Sequence, residues 1–329
     1  MKFTAAGVFG GIGGGLLGAK WAGFDTIWNY EPRKAFDKAT FEFNFPGSTY
    51  YTADKKTYFP KVNLLLGSPD CKQFSNLGTK RKDRGKLHLE SLESFDYLKF
   101  LRFVLKIEPD VFVLENVPNI LKTFWFEDNT LFFSGAEDNP IFSMPHYRIQ
   151  SIILDSFDFG VAQHRRRLFV IGSRKFNPNF DFKTFRNNAK YDRLREQRQT
   201  PATVETAFDS MRSVYNHKTA RHTAERVAGF KRLDFGESYY GTQNNKRLDP
   251  NKPAGTITSH CSRFVHPHQP RVLTVRENAK LMGFPDYFKF LGTETSQLDQ
   301  VGKSIVPQVS LALACYIKIE LKNAKIPVS

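Results

Sequence analysis

Residues 8–24, VFGGIGGGLLGAKWAGF, carry two glycine patterns in one loop. Gly13, Gly15 and Gly18 fit G-x-G-x-x-G, the fingerprint of a dinucleotide-binding turn. Phe9, Gly11, Gly13 and Gly14 fit F-x-G-x-G-G, a different nucleotide-cofactor loop. Both need a strand before and a helix after, because glycine admits close backbone approach and a helix start offers N–H donors. The flanks comply. Residues 2–9 read as a short strand, and 16–23 as the start of a helix. Glu31 ends the next apolar run and suits an acid that binds ribose hydroxyls in either reading. The loop predicts a nucleotide cofactor without saying which.

Outward from the loop, strands and helices alternate. DTIWNY (25–30) reads as a strand and RKAFDKATFEFN (33–44) as a helix. VNLLLG (62–67) is a buried strand, and LESFDYLKFLRFVLKI (92–107) has the three- and four-residue steps of an amphipathic helix. DVFVLENV (110–117), YRIQSIILD (147–155) and RLFVIGS (167–173) complete the strands. This alternation predicts an α/β fold with a doubly wound, mixed but mainly parallel sheet. Ligands of such sheets sit at the carboxyl ends of the strands, where Phe9, Glu31, Pro69 and Glu115 fall. From about 175 to 270 the chain turns polar and loop-rich, and apolar periodicity returns at 273–284 and in a final helix at 306–321. The expected division is a cofactor-binding catalytic domain (1–174), a smaller recognition domain (175–298) and a C-terminal helix (299–329) returning to the first.

Charge narrows the partner. Lys and Arg number 48 against 33 acids, a formal +15, in a chain with 14% aromatic residues. A folded chain of that kind points to a polyanion, most often nucleic acid. Apolar runs of membrane-spanning length and a signal-peptide layout are missing from the sequence, so a monomeric cytoplasmic protein with no membrane partner is expected. Cys71, Cys261 and Cys315 lie far apart without C-x-x-C, which gives no disulfide framework. His260, Cys261, His266 and His268 match no zinc spacing, so no metal is expected.

Three further stretches carry chemistry. Cys71 follows a buried strand and Pro69, ahead of the basic run GTKRKDRGK (78–86), surroundings that favour a thiolate over an inert buried thiol. Glu115 and Asn116 end an apolar strand, where a charge is costly unless paired or used. Gln163, Arg165 and Arg167 alternate into a strand; period two sends them to one face, able to meet a phosphate or a base edge. Each has a structural alternative: a packed cysteine, a helix cap, a solvated edge strand.

Together these residues resemble the C5-cytosine-specific DNA methyltransferase family. F-x-G-x-G-G matches Phe9–Gly14, the nucleophile motif matches Pro69 to Ser75 around Cys71, and E-N-V matches Glu115–Val117. Q-x-R-x-R matches Gln163–Arg167, R-x-L-T-x-R-E-x-A-x-L-x-G-F-P matches Arg271–Pro285, and the terminal G-N-[SA]-V appears as Gly302-Lys303-Ser304-Ile305. Six motifs in family order span nearly the whole chain. The resemblance implies a Rossmann-like methyltransferase sheet with S-adenosylmethionine as cofactor and double-stranded DNA as substrate. A restriction endonuclease would be a functional rather than physical partner.

It also implies roles. Cys71, Glu115, Arg165 and Arg167 would be catalytic: the Cys71 thiolate adds to C6 of a flipped-out cytosine, Glu115 serves N3, and Arg167 holds O2. Phe9, Gly11, Gly13, Gly14, Glu31, Pro32, Asp54, Gly67, Pro69, Asp70, Lys303 and Ser304 would bind the cofactor. Ser75, Lys80, Arg81, Lys82, Arg84 and Gln163 would contact DNA, with the basic run closing over the extruded base.

The chain departs from the family pattern around the cofactor. Gly7 stands where an acid normally orders the loop, Asp70 and Lys72 replace the residues flanking the nucleophile, and Lys303 replaces an asparagine. One account pairs Asp70 with Lys303 as a compensated swap with ordinary methyl transfer. The other has Lys303 receive a carboxylated S-adenosylmethionine analogue. A tRNA-modifying relative and a catalytically impaired DNA-binding relative are the remaining alternatives; the intact Cys71, Glu115, Arg165 and Arg167 argue against the second.

Overall fold

The computed structural model describes residues 2–32, 35–52, 58–70, 95–133, 140–187, 202–209, 211, 215–239, 245–259 and 264–324. Its first part alternates β1 (Thr4–Val8), α1 (Gly14–Trp21), β2 (Asp25–Tyr30), α2 (Ala35–Asn44), β3 (Thr49–Tyr51) and β4 (Leu64–Gly67). Next come α3 (Asp96–Ile107) and β5 (Val111–Asn116), then three short strands, β6 (Phe124–Glu127), β7 (Thr130–Phe133) and β8 (Pro140–Ser143). Strands β9 (Arg148–Asp155) and β10 (Arg166–Ser173) finish the main sheet, whose order is β3-β2-β1-β4-β5-β10-β9. Neighbours from β3 through to β5 are parallel, and β10 runs antiparallel to both β5 and β9. The sheet is mixed and doubly wound, as the sequence predicts.

Alternation along the strands builds both cores. Ala5, Leu64, Leu66, Val111 and Val113 face one side, while Ala6, Val8, Leu65, Phe112 and Leu114 face the other. Because both faces are covered, these strands read as continuous apolar runs rather than as half-polar ones. On the second face, α3 buries Tyr97, Leu98, Leu101, Val104 and Ile107, positions spaced at helical steps. Beside it, β6, β7 and β8 form a small antiparallel sheet, with the Phe124 ring stacked on Tyr97 at 5.3 Å. This meander makes the connection from β5 to β9, and nothing in the periodicity announces it.

The rest of the chain adds α4 (Phe182–Asn187), α5 (Val204–Asp209), α6 (Ala224–Arg232), and a two-stranded sheet of β11 (Ser238–Tyr239) and β12 (Asn245–Lys246). Then follow α7 (Val275–Leu281), α8 (Glu294–Lys303) and α9 (Pro307–Asn323). Helix α7 starts on a capping box: Thr274 Oγ1 accepts from Glu277 N, and the Glu277 carboxylate accepts from Thr274 N. Leu273, Val275, Ala279, Leu281, Phe284 and Phe288 join the first core together with α1 and α2. Phe230, Val265 and Val272 form a separate small cluster.

Helix α9 lies along α1, where Ser310 Oγ donates to Gly15 O at 2.6 Å. The stretch Glu294–Asn323 has the length and mean hydropathy of a membrane span, yet 72% of its apolar window is buried inside the protein. Packing in the core accounts for that hydropathy.

Candidate active site

Strands β1, β2, β4 and β5 end together at a crevice where the sheet order reverses, the usual ligand position in such sheets. On the β1–β2 side the chain turns tightly after Val8. Phe9 takes φ +54° and its N–H donates to Tyr30 O at 2.8 Å, while its ring meets Tyr30 and Phe103 edge-on. Gly13, at φ +87°, caps α1 in the left-handed region that side chains disfavour. Glu31 is buried beyond β2, and its Oε2 accepts from Gly11 N at 3.3 Å. Burial, reinforced by Asp37 and Glu31, pushes the Tyr50 phenol far above its ordinary range, so Tyr50 stays neutral behind this acid pair.

The terminal motif approaches the same loop. A side chain at Gly14 would collide with Ser304 Oγ and Ile305 O. Ser304 Oγ is buried with no hydrogen-bond partner among the described residues. Lys303 Nζ sits 2.6 Å from Asp299 Oδ2, one turn back on α8, an acid that the sequence reading did not consider.

On the β5 side, charged side chains make the wall. Because β10 runs against β5, its first residues lie beside the last ones of β5: Leu168 pairs with Asn116 and Phe169 with Glu115. This brings Arg167 Nε to 3.0 Å from Glu115 Oε1, both side chains largely buried. The other carboxylate oxygen accepts from Ser68 Oγ at 2.5 Å. Asn116 Nδ2 donates to Pro69 O at 3.2 Å, and Asn116 Oδ1 accepts from Val117 N at 2.8 Å. The end of β5 thus holds the segment Ser68–Asp70 that leads directly to Cys71.

Gln163 and Arg165 make their contacts away from the Glu115–Arg167 pair. Gln163 is fully buried; its Nε2 donates to Leu281 O at 3.1 Å, and its Oε1 accepts from Ile257 N at 2.7 Å. Arg165 donates to the carbonyls of Ile257, Gly302 and Ser304 at 2.8, 3.0 and 3.3 Å. The physical reason is register. β10 begins only at Arg166, so Gln163 and Arg165 lie in the preceding loop and clamp residues 254–257 and the end of α8. Gln163 and Arg165 thus tie this loop to residues 254–257 and to the terminal motif.

Gly67 ends β4 and Pro32 follows β2 by two residues, with Pro69 buried and Asp70 exposed. Asp54, Cys71, Ser75, Lys80, Arg81, Lys82 and Arg84 lie outside the described residues, as do His260 and Cys261. Among the described residues no three His, Cys, Asp or Glu side chains are grouped to hold a metal. Sequence reasoning missed Ser68, a lone serine between Gly67 and Pro69 with nothing to mark it.

Away from the crevice, Arg271 forks onto Glu277 with contacts of 2.8 and 2.6 Å, and His266 Nε2 lies 3.6 Å from the same carboxylate. Burial is the main cause that pushes His266 down from 6.5 to about 4.

Known proteins resemble this chain in sequence and fold. The type II methyltransferase M.DdeI of Desulfomicrobium norvegicum is 29% identical over 96% of this chain and 88% of its own length. M1.HphI of Haemophilus parahaemolyticus is 28% identical over 95% of this chain and 86% of its own. A prophage-encoded E. coli protein, crystallised as a candidate DNA modification methyltransferase, has the same fold with a TM-score of 0.73, at 22% identity over 98% of this chain and 100% of its own. From residue 3 to residue 318 the chain matches the model of the C-5 cytosine-specific DNA methylases, and it belongs to that family.

Proposed function

We propose that the chain is a DNA (cytosine-5)-methyltransferase of the restriction-modification kind, with S-adenosylmethionine as donor. The observation that carries the reading is the Glu115–Arg167 pair, desolvated at the reversed end of the sheet and braced by Ser68. A buried acid beside a guanidinium matches the N3 and O2 edge of cytosine, one group for each polar position.

The residues of the crevice fit the donor. Glu31, buried against the Gly11 N–H, suits ribose hydroxyls, and the buried Ser304 Oγ beside Gly14 awaits a polar partner. When bound, S-adenosylmethionine supplies an activated methyl group. This chain's residues do the rest. Cytosine C5 is a poor nucleophile, and addition of the Cys71 thiolate to C6 makes it electron-rich. Glu115 supports that addition by a hydrogen bond at N3, and Arg167 at O2 holds charge on the ring. Loss of the C5 proton and departure of Cys71 restore the aromatic base. The target cannot be reached inside a duplex, so the base is extruded; the basic run 78–86 meets the phosphates, and residues 175–298 supply the readers of the site.

Asp299 beside Lys303 offsets the charge that would otherwise favour a carboxylated donor, which supports plain methyl transfer. The test is mass spectrometry of cytosines from DNA incubated with the protein and S-adenosylmethionine, alongside Cys71→Ala. The expected product is 5-methylcytosine with the parent and none with the variant. A heavier adduct in DNA modified in the host would overturn the methyl reading, and an active Cys71→Ala would overturn the mechanism.

A further inference from the structure

Gly7 and Asn29 are direct partners in the β1–β2 ladder, and Asn29 is completely buried. Its amide does not stay on its own strand. It spans Gly7 and reaches beneath the glycine loop, where Nδ2 donates to Gly11 O at 2.9 Å. A Cβ at Gly7 would collide with Asn29 Oδ1, and so would a Cβ at Gly10. The amide fills the space that two missing side chains leave.

The orientation of that amide is informative. Asn29 Oδ1 is buried and accepts no hydrogen bond among the described residues. A buried acceptor without a donor is unfavourable, so packing alone would be served better by an apolar side chain. What an apolar side chain cannot supply is the donor to Gly11 O. Gly11 is also the residue whose N–H meets Glu31, so its two backbone groups are held from β2 and from the residue just beyond it.

We propose that Asn29 is a positioning residue for the cofactor loop, holding it from the neighbouring strand in place of a side chain at position 7. The glycines at 7 and 10 are then required by Asn29 rather than by the backbone, since neither has a positive φ. The inference rests on the reading of this loop as the cofactor site.

A mutant cycle tests it, read by affinity for S-adenosylhomocysteine, by melting temperature, and by amide exchange of the 9–15 peptide without ligand. Asn29→Ala is expected to weaken binding about tenfold and to speed exchange, the loss of one buried hydrogen bond. Gly7→Ala is expected to do at least as much by displacing the amide. The double variant should come close to Asn29→Ala alone, because the added methyl then enters vacated space and only Leu16 Cδ1, 3.2 Å away, has to give. Asn29→Leu, which keeps a similar volume and removes the donor, should behave like Asn29→Ala.

Additive losses in the double variant, or parent-like exchange in Asn29→Ala, would overturn the proposal. Should Gly7→Ala fail to fold, its rescue by Asn29→Ala supports the proposal and failure of rescue counts against it. A parent protein that binds no S-adenosylhomocysteine overturns the cofactor reading instead, while melting and exchange still decide the role of Asn29.

Discussion

On the β1–β2 side of the crevice the chain packs backbone against backbone. Gly14 meets Ser304 and Ile305, and the neutral Asn29 amide lies between Gly7 and the loop. On the β5–β10 side the wall is a carboxylate and a guanidinium 3.0 Å apart, held out of water. The first wall works by leaving out side chains and the second by bringing charges together. Damage to the first should therefore appear in cofactor affinity and stability, and damage to the second in the rate of chemistry.

Glu115→Gln sets the two walls furthest apart. Removing the charged partner of Arg167 and the group that serves N3 should lower the single-turnover methylation rate by about 10²–10⁴-fold. Affinity for S-adenosylhomocysteine should stay within about twofold, because no loop contact changes. A rate loss matched by an equal loss of cofactor affinity would mean that the walls are not separate.

Arg165→Met probes the clamp between them. Three buried carbonyls lose their donor, so unfolding free energy should fall by about 3 kcal/mol in chemical denaturation, while the rate per folded molecule changes far less than in Glu115→Gln. A variant as stable as the parent but catalytically dead would return Arg165 to the active site.

Gly14→Ala is a steric probe of the first wall. The methyl must displace Ser304 or the Ile305 carbonyl, which costs about 1–3 kcal/mol and should weaken S-adenosylhomocysteine binding with little change in rate at saturation. Calorimetric titration with a saturating-rate measurement separates the two.

An effect confined to stability lies outside both walls. His266 is held neutral mainly by burial, its value depressed from 6.5 to about 4. Between those limits the unfolded chain binds a proton that the folded chain does not, so stability falls as pH drops from about 6.5 toward 4 and levels off below. Melting curves across that range should show the slope, and His266→Gln should flatten it without touching either wall.

Much of this was legible in the residues. Strands β1, β2, β4, β5, β9 and β10 announce themselves as apolar runs, and α3 by its helical spacing. Strand β3 has only three residues, too few to show a period. Helix α8, ETSQLDQVGK, is mostly polar and is recognisable only by what it packs against. Glu115 stood out as a charge ending an apolar strand, but its contact with Arg167 depends on β10 inserting antiparallel between β5 and β9. No local pattern encodes that neighbour. The contacts of Gln163 and Arg165 were hidden in the same way: alternation holds only inside a strand, and β10 starts after both. Asn29 was invisible for another reason, since one asparagine in DTIWNY reads as an ordinary strand residue until Gly7 lies beside it.

The antiparallel entry of β10 has one more consequence. The gap between the acid and the guanidinium is counted in ladder steps, because the two sit on strands hydrogen-bonded to each other. Sliding β10 by one residue would turn Arg167 to the opposite face, and sliding it by two would carry it about 6.7 Å along β5. No intermediate spacing is available to the backbone. Fine adjustment of the spacing is left to side-chain length, because residues 156–165, which join β9 to β10, are themselves mostly packed into the protein.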